Sequence, residues 1–233
     1  MTQSQLATTP ILDYQSTSIQ SLVKQRGWLD LGEYDRIGAV YTFVRDEIKF
    51  GYNQSDDISA SSVLTDGYGQ CNTKGTLLMA LLRAVGISCR IHGFTIERTL
   101  QKGAIPAVLL YLAPRHILHS WVEVLYEKQW LNLEGFILDK AYLQAIQNKF
   151  KQPAGGFSGY GIATTCMDAP EIDWTGKDTY IQKEGISKDF GVFDSPDDFY
   201  NKQGTNLKGI KRWLYQHFIR HIINLNVKRL RTF

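Results

Sequence analysis

The fold is decided by the stretch GQCNTKGTLLMALLRAVGISCR, residues 69–90, which joins a glycine-containing loop to a strongly apolar helix. Apolar side chains keep helical spacing through residues 77–85, and Gly86 predicts where the helix ends. Ile87–Ile96 then alternates as a strand does, so we expect the helix to pack on a sheet. Cys71 begins the helix, where unpaired N–H groups and the helix dipole favour a thiolate. We therefore predict a lowered pKa for the Cys71 thiol.

The elements around this stretch predict an α+β fold with helices packed on an antiparallel sheet. Apolar residues recur at helical spacing from Ile37 to Ile48, ahead of the Cys71 helix. Further strands are expected at Ala107–Leu112, His119–Leu125 and Gln129–Leu133, and Asp139 is expected to cap a helix through Phe150. Helices first and strands afterwards is an order typical of α+β proteins.

His119 and Glu134 form a second candidate feature, on the two strands after the helix. If a tight turn at residues 127–128 joins the two strands, the numbers of residues that face each other across the hairpin sum to about 255. Glu134 then lies opposite Trp121, two residues from His119, so the two side chains share one face as diagonal neighbours. A carboxylate that orients an imidazole leaves its other nitrogen free as a base. Taken alone, neither residue indicates catalysis: His119 is explained as a half-buried polar residue, and Glu134 as a solvated residue at a strand end. Together with Cys71 they form a nucleophile, base and orienting acid, in the chain order of papain-like folds.

These blocks resemble the transglutaminase-like superfamily. Residues 69–90 resemble its nucleophile helix, and residues 119–124 (HSWVEV) its histidine strand. Residues 130–134 (WLNLE) match its third strand, with Glu134 where an aspartate is usual. The resemblance covers about residues 35–139, and the chain to Phe150 also looks like a group of small bacterial proteins of this type. It implies a papain-like α+β fold and a Cys71-His119-Glu134 triad.

The resemblance implies a cysteine enzyme that acts on an amide or ester through a thioester. We expect hydrolysis of a peptide, protein or small amide, with acyl transfer to an amine as a variant of the same chemistry. This chemistry requires no metal and no organic cofactor. Gln70 and Tyr52 are candidates for contacting the substrate or its oxyanion. The alternative, from another class, is a non-catalytic binding or scaffold protein that keeps the fold.

Composition sets the general class of the protein. The chain has 233 residues, of which 43% are hydrophobic and 21% charged, values that exclude a disordered protein, a collagen-like fibre and a coiled coil. Residues 1–10 are polar and lack the pattern of a signal peptide, so we expect a cytoplasmic protein. Three cysteines without a CxxC spacing are expected to be reduced thiols.

The last third of the chain differs from the rest in amino-acid composition and in charge. We predict a catalytic core over residues 1–150 and an extension over residues 151–233, which opens with a glycine-rich loop at Pro153–Gly161. Residues 199–233 contain eight Lys or Arg and no Asp or Glu, so they carry +8 and the remainder carries −5.

The extension is expected to end in a basic amphipathic helix, Leu207–Leu225. We expect its apolar face to pack on the core, with contact to a membrane surface or a protein as the rival and no specific nucleic-acid binding. The residues assigned to that face are Ile210, Trp213, Leu214, Phe218, Ile222 and Leu225.

Overall fold

The computed structural model of the chain describes residues 3–151 and 155–232. Its α-helices are α1 (Thr17–Arg26), α2 (Glu33–Thr42), α3 (Ala60–Asp66), α4 (Cys71–Ala84), α5 (Ala107–Leu112), α6 (Lys140–Lys149), α7 (Pro196–Gln203), α8 (Gly209–Leu214) and α9 (Arg220–Leu230). Its strands are β1 (Lys49–Phe50), β2 (Tyr68–Gly69), β3 (Cys89–Glu97), β4 (His116–Tyr126), β5 (Gln129–Leu133), β6 (Phe157–Gly159), β7 (Ile162–Thr164) and β8 (Ile186–Phe193). Phe43–Glu47 and Tyr215–Ile219 are π-helical, and Gln3–Leu6, Trp28–Asp30, Arg98–Gln101 and Lys183–Gly185 are 3₁₀ turns.

The fold is α+β, with the helix that begins at Cys71 packed on an antiparallel sheet. Within the described residues this sheet has the strand order β5-β4-β3-β8. Val122 of β4 lies opposite Leu133 of β5, which confirms the predicted register. The turn between them places Glu127 and Lys128 at positive φ, as a tight hairpin requires.

Helix α4 is buried on all sides and forms the centre of the core. Residues 77–82 have no accessible surface, and the polar first turns of the helix are also buried. A helical segment that is apolar around its whole circumference, as residues 77–82 are, lies inside a protein rather than on its surface. The buried ammonium of Lys74 donates to the carbonyl oxygen of Arg45 at 3.0 Å. The helix that carries Cys71 is therefore held rigidly by its surroundings.

The strand predicted at Ala107–Leu112 is wrong, because these residues form the short helix α5. Pro106 occupies the position before the first turn, where its fixed φ suits a helix start. The segment has consecutive apolar residues rather than an alternating pattern, and such a run does not distinguish a strand from a helix. Val108 and Tyr111 are more than three-quarters exposed, while Leu109 is partly buried against the core.

Strand β8 was not predicted, although it completes the sheet beside β3. Most of its residues are exposed, and its pairing with β3 is interrupted by register shifts after Gly93 and after Thr95. An irregular edge strand of this kind has no regular alternation for a sequence pattern to reveal. The division of the chain at residue 150 stays a prediction, but residues beyond it contribute a strand to the sheet.

The last helices pack on the core through a different face from the one predicted. The residues assigned to the packing face, which are Ile210, Trp213, Leu214, Phe218, Ile222 and Leu225, are between 41% and 72% exposed. The helices instead bury Ile223, Val227 and Leu230, with Tyr215 and Ile219 partly buried.

Apolar side chains occupy more than one face of these helices, so periodicity alone did not select the buried one. The polar contacts of Asn224 fix the rotation of α9. Its side-chain oxygen accepts the backbone N–H of Tyr52 at 2.7 Å, and its amide donates to the Tyr52 carbonyl at 2.9 Å. Arg231 adds an ion pair with the buried Asp139 at 2.6 Å. These contacts join the end of the chain to the loop beside the Cys71 helix.

The predicted glycine-rich loop lies partly outside the described residues, because residues 153 and 154 fall there. From Gly155 onward, strands β6 and β7 form a small hairpin. No helix in the described ranges is both long and apolar enough to cross a bilayer.

Candidate active site

Cys71 occupies the first position of α4, as the sequence predicts. Only 8% of the residue is exposed. The backbone N–H groups of Asn72 and Ser120 lie near its sulfur, and both act to lower the pKa of the thiol. Ser120 directly follows His119 in β4, so the helix start and the histidine strand meet at the thiol.

The chain before Cys71 needs a glycine to reach this geometry. A Cβ on Gly69 would lie 2.7 Å from Oγ1 of Thr73, closer than packed atoms approach. Thr73 in turn accepts the backbone N–H of Gln70 at 3.1 Å and donates to Oδ1 of Asn53 at 2.6 Å. The first turn of α4 is thus capped within the core, which fixes the direction in which the cysteine projects.

His119 is fully buried in β4, and its ring stacks on Phe94 with centroids 4.9 Å apart. Its Nε2 contacts Oε1 of Gln182, and the amide group of Gln182 donates to the carbonyl of Gly161. Because that donation directs the amide oxygen at the ring, Nε2 carries the proton and Nδ1 has a free lone pair. Nδ1 has no hydrogen-bond partner among the described residues.

Glu134 lies one residue beyond β5 and is also fully buried. Its Oε2 accepts the backbone N–H groups of Ile181 and Gln182 at 2.9 and 2.8 Å, and within the described chain its Oε1 has no hydrogen-bond partner. The predicted bond from Glu134 to the ring of His119 is therefore wrong. The strand pairing stops at Leu133, and residues 179–182 run alongside instead, so the carboxylate binds their backbone.

Gln182 is a site residue that the sequence analysis missed. It lies 63 positions after His119, in a segment without regular secondary structure, and no motif marks it. Its backbone is held by Glu134, while its side chain contacts the histidine. Glu134 and His119 are thus connected through Gln182.

Burial dominates the protonation of the three predicted residues. It raises the pKa of the Cys71 thiol, and the negative charge of Asp56 raises that pKa further. The predicted lowering is wrong, because the helix start and the two amides do not outweigh the loss of solvation. Burial likewise lowers the pKa of His119 to about 4. It raises the pKa of Glu134 to about 7, against the lowering effect of the Gln182 and Ile181 amides.

Asp56 is a second residue whose role the sequence did not indicate, since it lies in a polar loop. Its carboxylate accepts side-chain amides from Gln70 at 3.1 Å, Asn72 at 3.3 Å and Asn206 at 2.8 Å. Asn72 also donates to the carbonyl of Leu118 at 3.1 Å. Asp56 therefore ties the loop before Cys71 to the histidine strand and to the C-terminal region.

Gln70 and Tyr52, the candidates for substrate contact, both border the cavity above the thiol. Besides Asp56, Gln70 binds the backbone N–H of Asn53 through Oε1 at 2.9 Å. The hydroxyl of Tyr52 donates to Oε1 of Gln101 at 2.7 Å. Gln70 still has an amide hydrogen without a partner in these contacts, whereas the Tyr52 hydroxyl proton is used.

The cavity beside Cys71 has a volume of about 330 Å³. Its walls are predominantly apolar and come from β3, α5, the start of β4 and the helices α8 and α9. Gln182 also borders it, so the cavity reaches the residue that contacts His119. In the described ranges, no cluster of three or more His, Cys, Asp or Glu side chains is arranged to hold a metal ion.

Comparison with known proteins finds one family profile and a similar solved structure. The profile of the transglutaminase-like superfamily matches residues 24–135, which include Cys71, His119 and Glu134. Among solved structures, the chain is similar to one named a "Putative Cysteine Protease" from Cytophaga hutchinsonii, with 13% identity and a TM-score of 0.47. That match covers 83% of this chain and 47% of the other, so the chain spans about half the length of that protein. No curated protein matches the chain. The profile identifies the segment formed by residues 24–135 as a member of the transglutaminase-like superfamily.

Proposed function

We propose that this protein is a cysteine enzyme that cleaves an amide or ester through a thioester on Cys71. One observation carries the proposal. Cys71 borders a cavity and has two backbone amides near its sulfur. It also lies beside the histidine strand, where Nδ1 of His119 has no hydrogen-bond partner within the described residues. A thiol, a base and amide donors at one point are the parts that acyl transfer needs.

The free enzyme holds a neutral thiol and a neutral imidazole at pH 7, because burial disfavours both charged forms. Nδ1 of His119 takes the thiol proton as the sulfur attacks the carbonyl carbon. The backbone N–H of Asn72 and the spare amide hydrogen of Gln70 are the proposed donors to the oxyanion. When the C–N or C–O bond breaks, His119 returns the proton to the leaving group. Water then hydrolyses the thioester, and an amine in its place gives acyl transfer.

Gln182 takes the orienting role that the sequence assigned to Glu134. Its amide oxygen accepts the Nε2 proton of His119 and so selects the tautomer with a basic Nδ1. Glu134 acts on His119 only indirectly, because it accepts the backbone N–H of Gln182 and so holds Gln182 in place. In this mechanism Glu134 is a positioning residue, and the reacting atoms are touched by Cys71 and His119.

The proposal is tested with 4-nitrophenyl acetate, following nitrophenol release and the mass of the intact protein. Cys71→Ala is expected to lose both turnover and the acetyl adduct, whereas Cys166→Ala, which removes the exposed thiol, keeps them. His119→Ala is expected to slow acylation by about 10²–10⁴, the usual contribution of a general base. The matched control is His116→Ala, because His116 is exposed and pairs with Glu97 at 3.2 Å.

Gln182 is tested in the same assay with two variants. Gln182→Ala is expected to slow acylation less than His119→Ala does, and Gln182→Glu should restore part of the rate because a carboxylate also accepts the Nε2 proton. Wild-type activity in Cys71→Ala, or a crippled His116→Ala beside an active His119→Ala, would refute the assignment.

The second candidate is a binding or scaffold protein that keeps the fold without chemistry. The broad exposed apolar face of α8 and α9 favours it, since such faces mark contact surfaces. The same assay decides between the two, because a scaffold forms no acyl adduct on Cys71 with any ester.

A further inference from the structure

We infer that the acyl group transferred to Cys71 is an apolar chain on the order of ten carbons, which lies in the cavity between the thiol and the C-terminal helices. This inference rests on the proposed function, because it names the substrate class of the same site. It does not follow from the superfamily, whose profile ends at residue 135, before the helices that form one cavity wall.

The walls of the cavity are predominantly apolar, as an apolar acyl chain requires. Beyond the polar groups near Cys71, the cavity is lined by aliphatic side chains from three separate parts of the fold: Ile96 of β3, Leu109 of α5, and Ile219 and Ile223 of the C-terminal helices. A site for a polar peptide backbone would need donors and acceptors along its length, since an unmet polar group loses free energy on burial. An alkyl chain requires none.

The volume of the cavity sets the length of the chain that it can hold. If a methylene takes about as much room as one water molecule, roughly 30 Å³, then about 330 Å³ holds a chain on the order of ten carbons. Cys71 lies at the border of this space, so a carbonyl carbon at the sulfur leaves the chain inside the cavity and the leaving group outside. Each buried methylene contributes about 0.8 kcal/mol, or roughly a fourfold gain in affinity.

One group of polar lining residues is joined by hydrogen bonds around Asp56, which accepts the side-chain amides of Asn72 and Asn206. Arg212, which also borders the cavity, pairs with the neighbouring Asp57 at 3.0 Å. This polar group near Cys71 suits contact with the leaving group, an alcohol or an amine, at the edge of the cavity rather than with the chain inside it. The reaction remains balanced, since the acyl–oxygen or acyl–nitrogen bond breaks as the thioester forms and water then releases the fatty acid and the free thiol.

The experiment varies only the acyl chain, with 4-nitrophenyl esters from acetate to hexadecanoate, which share one leaving group. We expect kcat/KM to rise at least tenfold from acetate to decanoate and to fall again for hexadecanoate. Ile219→Trp fills the cavity, so it should lower the ratio of decanoate to acetate activity at least tenfold. The control Ile222→Trp adds the same bulk on the exposed face and should leave that ratio unchanged.

A binding measurement separates failure of this inference from failure of the proposed function. Decanamide is titrated against the Cys71→Ala protein, with acetamide as its short counterpart, and the melting temperature is followed. Stabilisation by decanamide that Ile219→Trp removes supports the cavity even if no ester is cleaved, in which case the proposed function fails alone. Equal cleavage of acetate and decanoate, or no stabilisation by decanamide, overturns the inference and leaves any Cys71 chemistry standing.

Discussion

Two neighbouring isoleucines in the last helix give a sharp test of how the C-terminal region is held. Ile223 is 2% exposed and packs in the main core cluster, whereas Ile222 is 50% exposed. Truncating a buried isoleucine to alanine costs roughly 2–5 kcal/mol, while exposed substitutions usually stay within about 0.5 kcal/mol. We therefore expect Ile223→Ala to destabilise the whole protein and Ile222→Ala to leave it nearly unchanged.

The pair is matched in everything except burial. Both substitutions remove the same atoms from adjacent positions of one helix, so the gain in helix propensity from alanine is common to both. For a chain of this size, 1 kcal/mol shifts the melting temperature by about 2–4 °C, so Ile223→Ala should lower it by at least about 4 °C. Urea unfolding followed by circular dichroism measures the free-energy difference directly. Equal stabilities of the two variants, or a larger loss in Ile222→Ala, would show that the helix packs through the other face.

Two further predictions concern the charge of the site and of the surface. Glu134→Gln keeps an acceptor for the backbone amides but removes a carboxyl whose pKa is raised from 4.5 to about 7 in the folded protein. Between these two pH values the folded state keeps the proton on Glu134, whereas the unfolded state has released it. The free energy of unfolding of the wild type should therefore fall by about 3 kcal/mol relative to that of the variant as pH rises from 4.5 to 7. Urea titrations of both proteins across that range measure the difference, and a constant difference would contradict the raised pKa. The exposed apolar face of α8 and α9 lies among lysines and arginines of the +8 segment, a combination suited to an anionic bilayer surface. The protein should therefore co-sediment with vesicles that contain phosphatidylserine at low salt, and Trp213→Ala with Phe218→Ala should abolish this. Equal sedimentation of wild type and variant would refute that use of the face.

The centre of the fold was predictable because local pattern and tertiary role coincide there. The apolar run of residues 77–85 is buried whatever its neighbours, and the register of β4 and β5 follows from one tight turn. The same reasoning gave the positions of Cys71 and His119, since both depend only on those elements.

The rest of the site depends on contacts that no local pattern encodes. Gln182 reaches His119 from an irregular segment, and its placement follows from backbone bonds to Glu134. The buried face of α9 is selected by Asn224, whose partners lie 172 positions earlier in the chain. The lowered pKa predicted for Cys71 failed for a similar reason, because the depth of burial is a property of the whole fold.

The depth of burial also constrains how the proposed thioester would form. A preformed thiolate–imidazolium pair would place two charges where solvation is lost, and the negative charge of Asp56 would oppose the thiolate as well. In the proposed mechanism the proton therefore leaves Cys71 in the same step in which the sulfur bonds to carbon, so that negative charge passes to the carbonyl oxygen without resting on the sulfur. The proposed oxyanion donors, the backbone N–H of Asn72 and the side-chain amide of Gln70, are both fixed at the start of α4, so they need little reorganisation to meet that charge. If the inferred apolar acyl chain fills the cavity, it displaces water and lowers the local dielectric constant, which strengthens the hydrogen bonds of these donors to the developing oxyanion.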